Sequence, residues 1–193
     1  MQRREVVRFL GAALALPFLP RNTDAAIELG QSLHRRLLEG DVPFRTLSAE
    51  HQALVTDIAE MILPETDTPG ATKMKVPQFV DLILSEWAPD DDKATFLAGL
   101  ADIDKRAAAL GGSDLQQQSQ TRFVNLTAAR KVELLTTLDA ARQDTEGAGF
   151  AFGRLKQLTV YGYFTSQEIH DNVLKTRIFF DGYHGNLPFT PAT

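Results

Sequence analysis

The chain has 193 residues, with 25 acidic against 20 basic side chains and a formal net charge of −5. That is the wrong sign for a protein whose main task is gripping nucleic-acid phosphates, while 44% hydrophobic and 23% charged residues fit a folded domain rather than a disordered one. Cysteine is absent, which excludes disulfide scaffolds, thiolate zinc sites, cysteine nucleophiles and thiolate-bound clusters, and no apolar run reaches the roughly 18 residues of a membrane-spanning helix.

The chain opens on Met1-Gln-Arg-Arg-Glu-Val-Val-Arg8, followed by an uncharged apolar stretch from Phe9 to Leu19. A basic start before 7–15 apolar residues is the layout of a secretory signal. At 1.5 Å per residue the stretch spans only about 16 Å, short of the hydrocarbon core of a membrane. Arg3 and Arg4, directly before it, match a twin-arginine signal, with Val6-Val7 standing where a Phe-Leu pair is usual. A small residue precedes Ala26, so the expected cleavage lies between Ala25 and Ala26; the alternative is a segment that stays attached as a short anchor. Residues 1–26 are assigned to this leader. An amphipathic first helix would need a polar face that Phe9–Leu19 lacks. The twin-arginine route carries proteins folded in the cytoplasm, often because a cofactor has to be inserted first.

The body, residues 27–182, reads as helices. Residues 27–38 form a short helix with Ile27, Leu33 and Leu37 near one face. Ser48 is placed to cap the next, which Glu50 favours through the helix dipole. There Leu54, Ile58, Met61 and Ile62 recur at helical spacing until Pro64 stops it. Residues 64–75 are a loop, and Pro69-Gly70 suits the centre of a type II turn. Pro77 fits the first turn of a helix to about Trp87, with Val76, Phe79, Val80, Ile83 and Trp87 as its stripe. Asp90-Asp91-Asp92 precedes a helix striped by Phe96, Leu97, Leu100, Ile103, Ala107 and Leu110 and ended by Gly111-Gly112. Thr127 is placed to cap a helix carrying Val132, Leu135, Leu138 and Ala141. Residues 150–161 form another, and Thr165-Ser-Gln-Glu168 reads as a capping box for a last helix to about Arg177. Gly and Pro without periodicity make residues 183–193 an irregular arm. The expected architecture is all-α, a compact bundle of six or seven helices.

Chemistry is hard to find along this chain. His34, His51, His170 and His184 are scattered, and no HExxH pairing occurs. Glu168 and His170 lie two apart and so point to different faces of a helix. Neither a Gly-x-Ser-x-Gly elbow, a Gly-x-Gly-x-x-Gly turn nor a Walker loop is present. Glu65 and Asp67 sit in a loop, where turn hydrogen bonds or partner recognition compete with acid/base work. Phe150, Phe152, Tyr161, Tyr163 and Phe164 are open to either a core or a docking role.

Two segments carry a resemblance. Ile62-Leu-Pro-Glu-Thr-Asp-Thr-Pro-Gly-Ala71, followed by Val76-Pro77 and Phe79-Val80-Asp81, is one; Leu155-Lys-Gln-Leu-Thr-Val-Tyr-Gly-Tyr-Phe-Thr-Ser166 is the other. In this order, and behind a leader of this kind, they resemble the gluconate 2-dehydrogenase subunit 3 family over about residues 47–182. The chain departs from the family pattern at Gln167-Glu168-Ile169, where relatives often continue with a glycine. The resemblance implies a non-catalytic small subunit with no cofactor or metal of its own. Its implied partners are a large FAD-dependent dehydrogenase of the glucose-methanol-choline type, often a cytochrome c subunit carrying haem c, and the twin-arginine translocase, with no nucleic acid. It also implies residence in the periplasm, associated with the inner membrane through the complex. The residues expected to meet the large subunit are Thr66, Asp67, Thr68, Pro69 and Gly70 in the loop, and Tyr161, Gly162, Tyr163, Thr165 and Ser166 in the second segment. Two other classes remain to be weighed: a stand-alone periplasmic helical binding protein, which needs a sizeable apolar pocket, and an enzyme, which needs clustered titratable groups in a cleft.

Overall fold

The computed structural model describes residues 17, 19–40, 42–110 and 121–169. The arginine pair at 3 and 4, the Gly111-Gly112 stop, the body of the last helix and the irregular arm lie outside them. Among the described residues there are six α-helices, a short 3-10 turn and no strand: α1 Thr23–Glu39, α2 Ala49–Ile62, α3 Val76–Glu86, α4 Asp90–Leu110, the 3-10 turn Phe123–Asn125, α5 Ala128–Ala140 and α6 Gly147–Thr165. The all-α expectation holds. No described helix is long and apolar enough to cross a membrane.

The architecture follows from the composition of α6. It is apolar nearly all round, with Phe152, Leu155, Leu158, Tyr161 and Phe164 buried, and a helix of that kind belongs inside a protein. The other five α-helices all pack against it, each burying one stripe: Leu33 and Leu37 from α1, Leu54 and Ile58 from α2, Phe79 and Ile83 from α3, Leu100 and Ile103 from α4, Leu135 and Leu138 from α5.

The local signals mostly act as expected. The Ser48 hydroxyl accepts the His51 amide at the start of α2, and Pro77 sits in the first turn of α3. Asp90, Asp91 and Asp92 form the first turn of α4 itself, where they favour the positive end of the dipole. Four expectations are corrected. α1 starts at Thr23, earlier than residue 27, because Asn22 caps it through the Asp24 amide. α6 runs from Gly147 to Thr165 and is longer at both ends than residues 150–161. Trp87 and Val132 are 41% and 56% exposed: Trp87 falls at the C-cap of α3, and α5 buries Leu134 with Leu135 and Leu138. Thr165 does not open a capping box, since its hydroxyl turns back to the Tyr161 carbonyl. The extended break falls one residue later, at Ser166.

Two acids hold the non-helical segments in place. Asp81 on α3, 1% exposed, accepts the backbone amides of Arg45, Thr46 and Leu47 at 2.7, 2.9 and 2.7 Å. Nearby, Glu86 takes a bidentate pair from Arg36 on α1 at 2.7 and 2.8 Å, and a third contact from Arg45 at 3.2 Å. These bonds lower the Glu86 pKa below the usual carboxylate range, the Arg36 bonds most.

Candidate functional site: the loop between α2 and α3

The loop after α2 leaves and returns at nearly the same point. The Ala71 amide donates to the Leu63 carbonyl at 2.9 Å, closing a compact surface loop. Its anchor is Glu60, in the last turn of α2. One carboxylate oxygen accepts the Glu65 amide at 3.0 Å and the other accepts the Thr72 amide at 2.9 Å. Partial burial pushes this carboxyl upward, but the donors from Thr72 and Glu65 outweigh it and hold the pKa below the ordinary value.

Gly70 is required by space. A Cβ there would lie 2.1 Å from a Glu60 carboxylate oxygen and 2.8 Å from the Glu65 nitrogen. The expected type II turn, which needs positive φ at this glycine, is not what forms: the described residues with positive φ are Lys75 and Gly147. Lys75, at φ 53°, enters α3 in the left-handed region. Its ammonium donates to the Leu37 carbonyl at 2.7 Å, satisfying a carbonyl at the end of α1. The loop tip carries its own bonds. The Thr66 amide donates to the Thr68 carbonyl at 3.0 Å, and the Thr66 hydroxyl to Asp67 at 3.0 Å.

The second segment supports this loop from below. The Tyr163 hydroxyl donates to the Pro69 carbonyl at 2.8 Å, and the Ser166 hydroxyl to the Tyr163 carbonyl at 2.7 Å. Tyr161 is fully buried, edge-on to Phe79 with centroids 5.4 Å apart. Burial raises the pKa of its phenol, opposed by the Gly30 amide, and the protonated hydroxyl donates to the Ala26 carbonyl. Gly162 lets Phe79 approach within 2.7 Å of where a Cβ would stand. Its carbonyl accepts Nε2–H of His34 at 2.5 Å. His34 stacks on Phe79 at 4.7 Å. Its pKa is lowered to about 4, because burial disfavours the imidazolium more than the Gly162 carbonyl supports it.

The ten residues expected to meet a partner therefore separate. Thr66 and Asp67 are exposed and Thr68 and Pro69 half-buried, whereas Gly70, Tyr161, Gly162, Tyr163, Thr165 and Ser166 are buried in this chain's own core. The cause is the central position of α6, whose polar groups satisfy neighbouring backbone. Phe152, Tyr163 and Phe164 are likewise core residues. Sequence reasoning missed Glu60, Asp81 and His34. The readable signal for Asp81 was an acid inside the otherwise apolar run Phe79–Leu84.

Beside the loop lies an open groove of about 780 Å³, lined by Phe44, Gln52, Thr56, Asp57, Gln78 and Lys131 among others. Its titratable groups are already engaged. Lys131 pairs with Asp57 at 2.5 Å and sits 5.6 Å from the Phe123 ring centre, and Glu60 holds the loop. Among the described residues no three acids or histidines are grouped to hold a metal ion. What the arrangement offers is a stiff, exposed polar loop on a well-packed helical body.

No curated protein and no solved structure matches this chain. The family model for gluconate 2-dehydrogenase subunit 3 matches residues 49–182, a span that holds both the loop and the α6 segment beneath it. The chain belongs to the gluconate 2-dehydrogenase subunit 3 family.

Proposed function

We propose that this chain is the non-catalytic small subunit of a periplasmic, membrane-associated FAD-dependent sugar or gluconate dehydrogenase of the glucose-methanol-choline type. It stabilises the flavoprotein and escorts it through twin-arginine export, using Arg3 and Arg4 of its leader. FAD belongs to the large subunit, and haem c to a cytochrome subunit where one is present. The observation that carries this reading, together with the family, is the exposed loop held rigid from two sides by Glu60 and Tyr163. A preorganised polar loop loses little conformational entropy on docking. Direct contact falls to Thr66, Asp67, Thr68 and Pro69, while Gly70 and the α6 residues set the loop's shape from inside. A stable pair of this kind buries on the order of 2,000 Å² or more.

The test is co-purification. The tagged chain, co-expressed with its flavoprotein, should bring down flavin absorbance and dye-linked dehydrogenase activity together. Recovery of the tagged chain without flavin would contradict the reading. A charge reversal at the loop tip, Asp67→Lys, should cut the yield of complex at least tenfold while leaving the small subunit folded.

A second reading, a stand-alone binding protein, draws on the groove. Phe44, Pro77 and Val124 give it an apolar wall beside the polar side chains of Gln52 and Thr56. The groove's open form and mixed lining make it the weaker site.

A further inference from the structure

The expected cleavage point between Ala25 and Ala26 falls inside folded structure. We propose that the junction between leader and body is an integral part of the helical domain, so that the exported chain keeps Leu19 to Ala25 instead of being processed at Ala25–Ala26. The proposal takes its context from the export reading above, but one arm of its test does not depend on that reading.

Four observations fix the junction. Leu19 is 4% exposed and belongs to the hydrophobic core. Asn22 caps α1, its side chain accepting the Asp24 amide at 2.9 Å and its carbonyl the Ala26 amide at 3.0 Å. Ala26 is fully buried and Ile27 5% exposed. The Ala26 carbonyl accepts the Tyr161 hydroxyl from the middle of the core, and one turn further on Gly30 packs so closely on Thr165 that an added Cβ would lie 2.5 Å from its hydroxyl oxygen. Two of the α6 residues expected to meet a partner, Tyr161 and Thr165, thus clamp the helix that follows the leader.

A peptidase takes several residues on each side of the scissile bond in extended form in its cleft. Here those residues form a capped helical turn bonded to the core, so cutting requires local unfolding of that turn. Chain termini commonly fray, and the Tyr161 bond is what sets this one apart. Because the twin-arginine route delivers folded proteins, the turn is already formed when the leader meets its peptidase.

The test uses the purified full chain and a protease that cuts before aspartate. The Asp24 side chain is exposed within the first turn of α1, and Asp144 lies in the exposed turn between α5 and α6, so the second serves as an internal control. Under native conditions cleavage at Asp144 should be at least tenfold faster than at Asp24, and the two rates should converge in denaturant. Equal native rates would overturn the proposal. Tyr161→Phe should accelerate cleavage at Asp24 severalfold and leave Asp144 unchanged; no acceleration would remove Tyr161 as the clamp. In exported material, intact mass should place the N-terminus at or before Leu19, and an N-terminus at Ala26 would overturn the proposal. If no chain is exported the export reading fails, and the protease comparison still decides whether the junction is folded.

Discussion

The Tyr163 hydroxyl lies 2.8 Å from the Pro69 carbonyl oxygen and donates a hydrogen bond to it, joining two segments that are far apart in sequence. Tyr163 also packs edge-on against Phe164, with centroids 5.2 Å apart, so the ring is held independently of its hydroxyl. Tyr163→Phe should therefore keep the fold, cost about 1 kcal/mol of stability, and increase amide exchange at Thr66 and Thr68. Unchanged exchange there would show that the loop does not depend on this bond.

Gly70 and Glu60 form a second support. Gly70→Ala drives a methyl group into the Glu60 carboxylate and should destabilise the chain by about 1–3 kcal/mol. In a Glu60→Ala background the same change should cost less, since the carboxylate is gone and the Glu65 nitrogen, 2.8 Å away, is the obstruction that remains. A double-mutant cycle by urea denaturation measures that coupling, and additive losses would contradict the contact.

Asp81 tests the segment between α1 and α2. Asp81→Ala leaves the amides of Arg45, Thr46 and Leu47 without their acceptor and should cost about 3 kcal/mol. Asp81→Asn keeps one acceptor oxygen and should cost less. Denaturation midpoints of the two variants decide the order.

His34 gives the fold a pH dependence of known sign. Its folded pKa, about 4, lies below the value of about 6.5 expected for the unfolded chain. The unfolded state therefore binds the extra proton first, so the contribution is complete above about pH 6.5 and is lost as pH falls toward 4. Between pH 7.5 and 5, where Glu60 and Glu86 stay ionised, stability should fall by about 2 kcal/mol. His34→Gln should flatten that slope, and an unchanged slope would assign it elsewhere.

Much of the helical frame was legible because apolar spacing and capping are local properties. Ser48, Pro77 and the stripes through Leu54 and Ile58, or Phe96 and Leu100, needed no tertiary knowledge. Trp87 misled because spacing identifies a face but not where the helix along it ends, and Val132 because the buried stripe of α5 is turned onto Leu134, Leu135 and Leu138. The role of Tyr161 was not legible because α6 is apolar nearly all round. Its aromatics looked available for docking until five helices were seen to cover them. The loop was found by motif, but its geometry at Gly70 depends on Glu60, ten residues away, and a turn rule based on adjacent residues does not include such a contact. The start of α1 was illegible for a related reason: the bond that fixes Ala26 comes from Tyr161, on a helix much later in the chain.

In the proposed role this chain carries a flavoprotein to its working compartment. The most direct measurement is the distribution of dye-linked dehydrogenase activity between cytoplasm and periplasm. Cells would co-express the flavoprotein with this chain or with its Arg3→Lys, Arg4→Lys variant. Periplasmic activity with the native chain, and at least a tenfold shift to the cytoplasm with the lysine pair, is the predicted result. A flavoprotein that reaches the periplasm equally well with either version would contradict the claim.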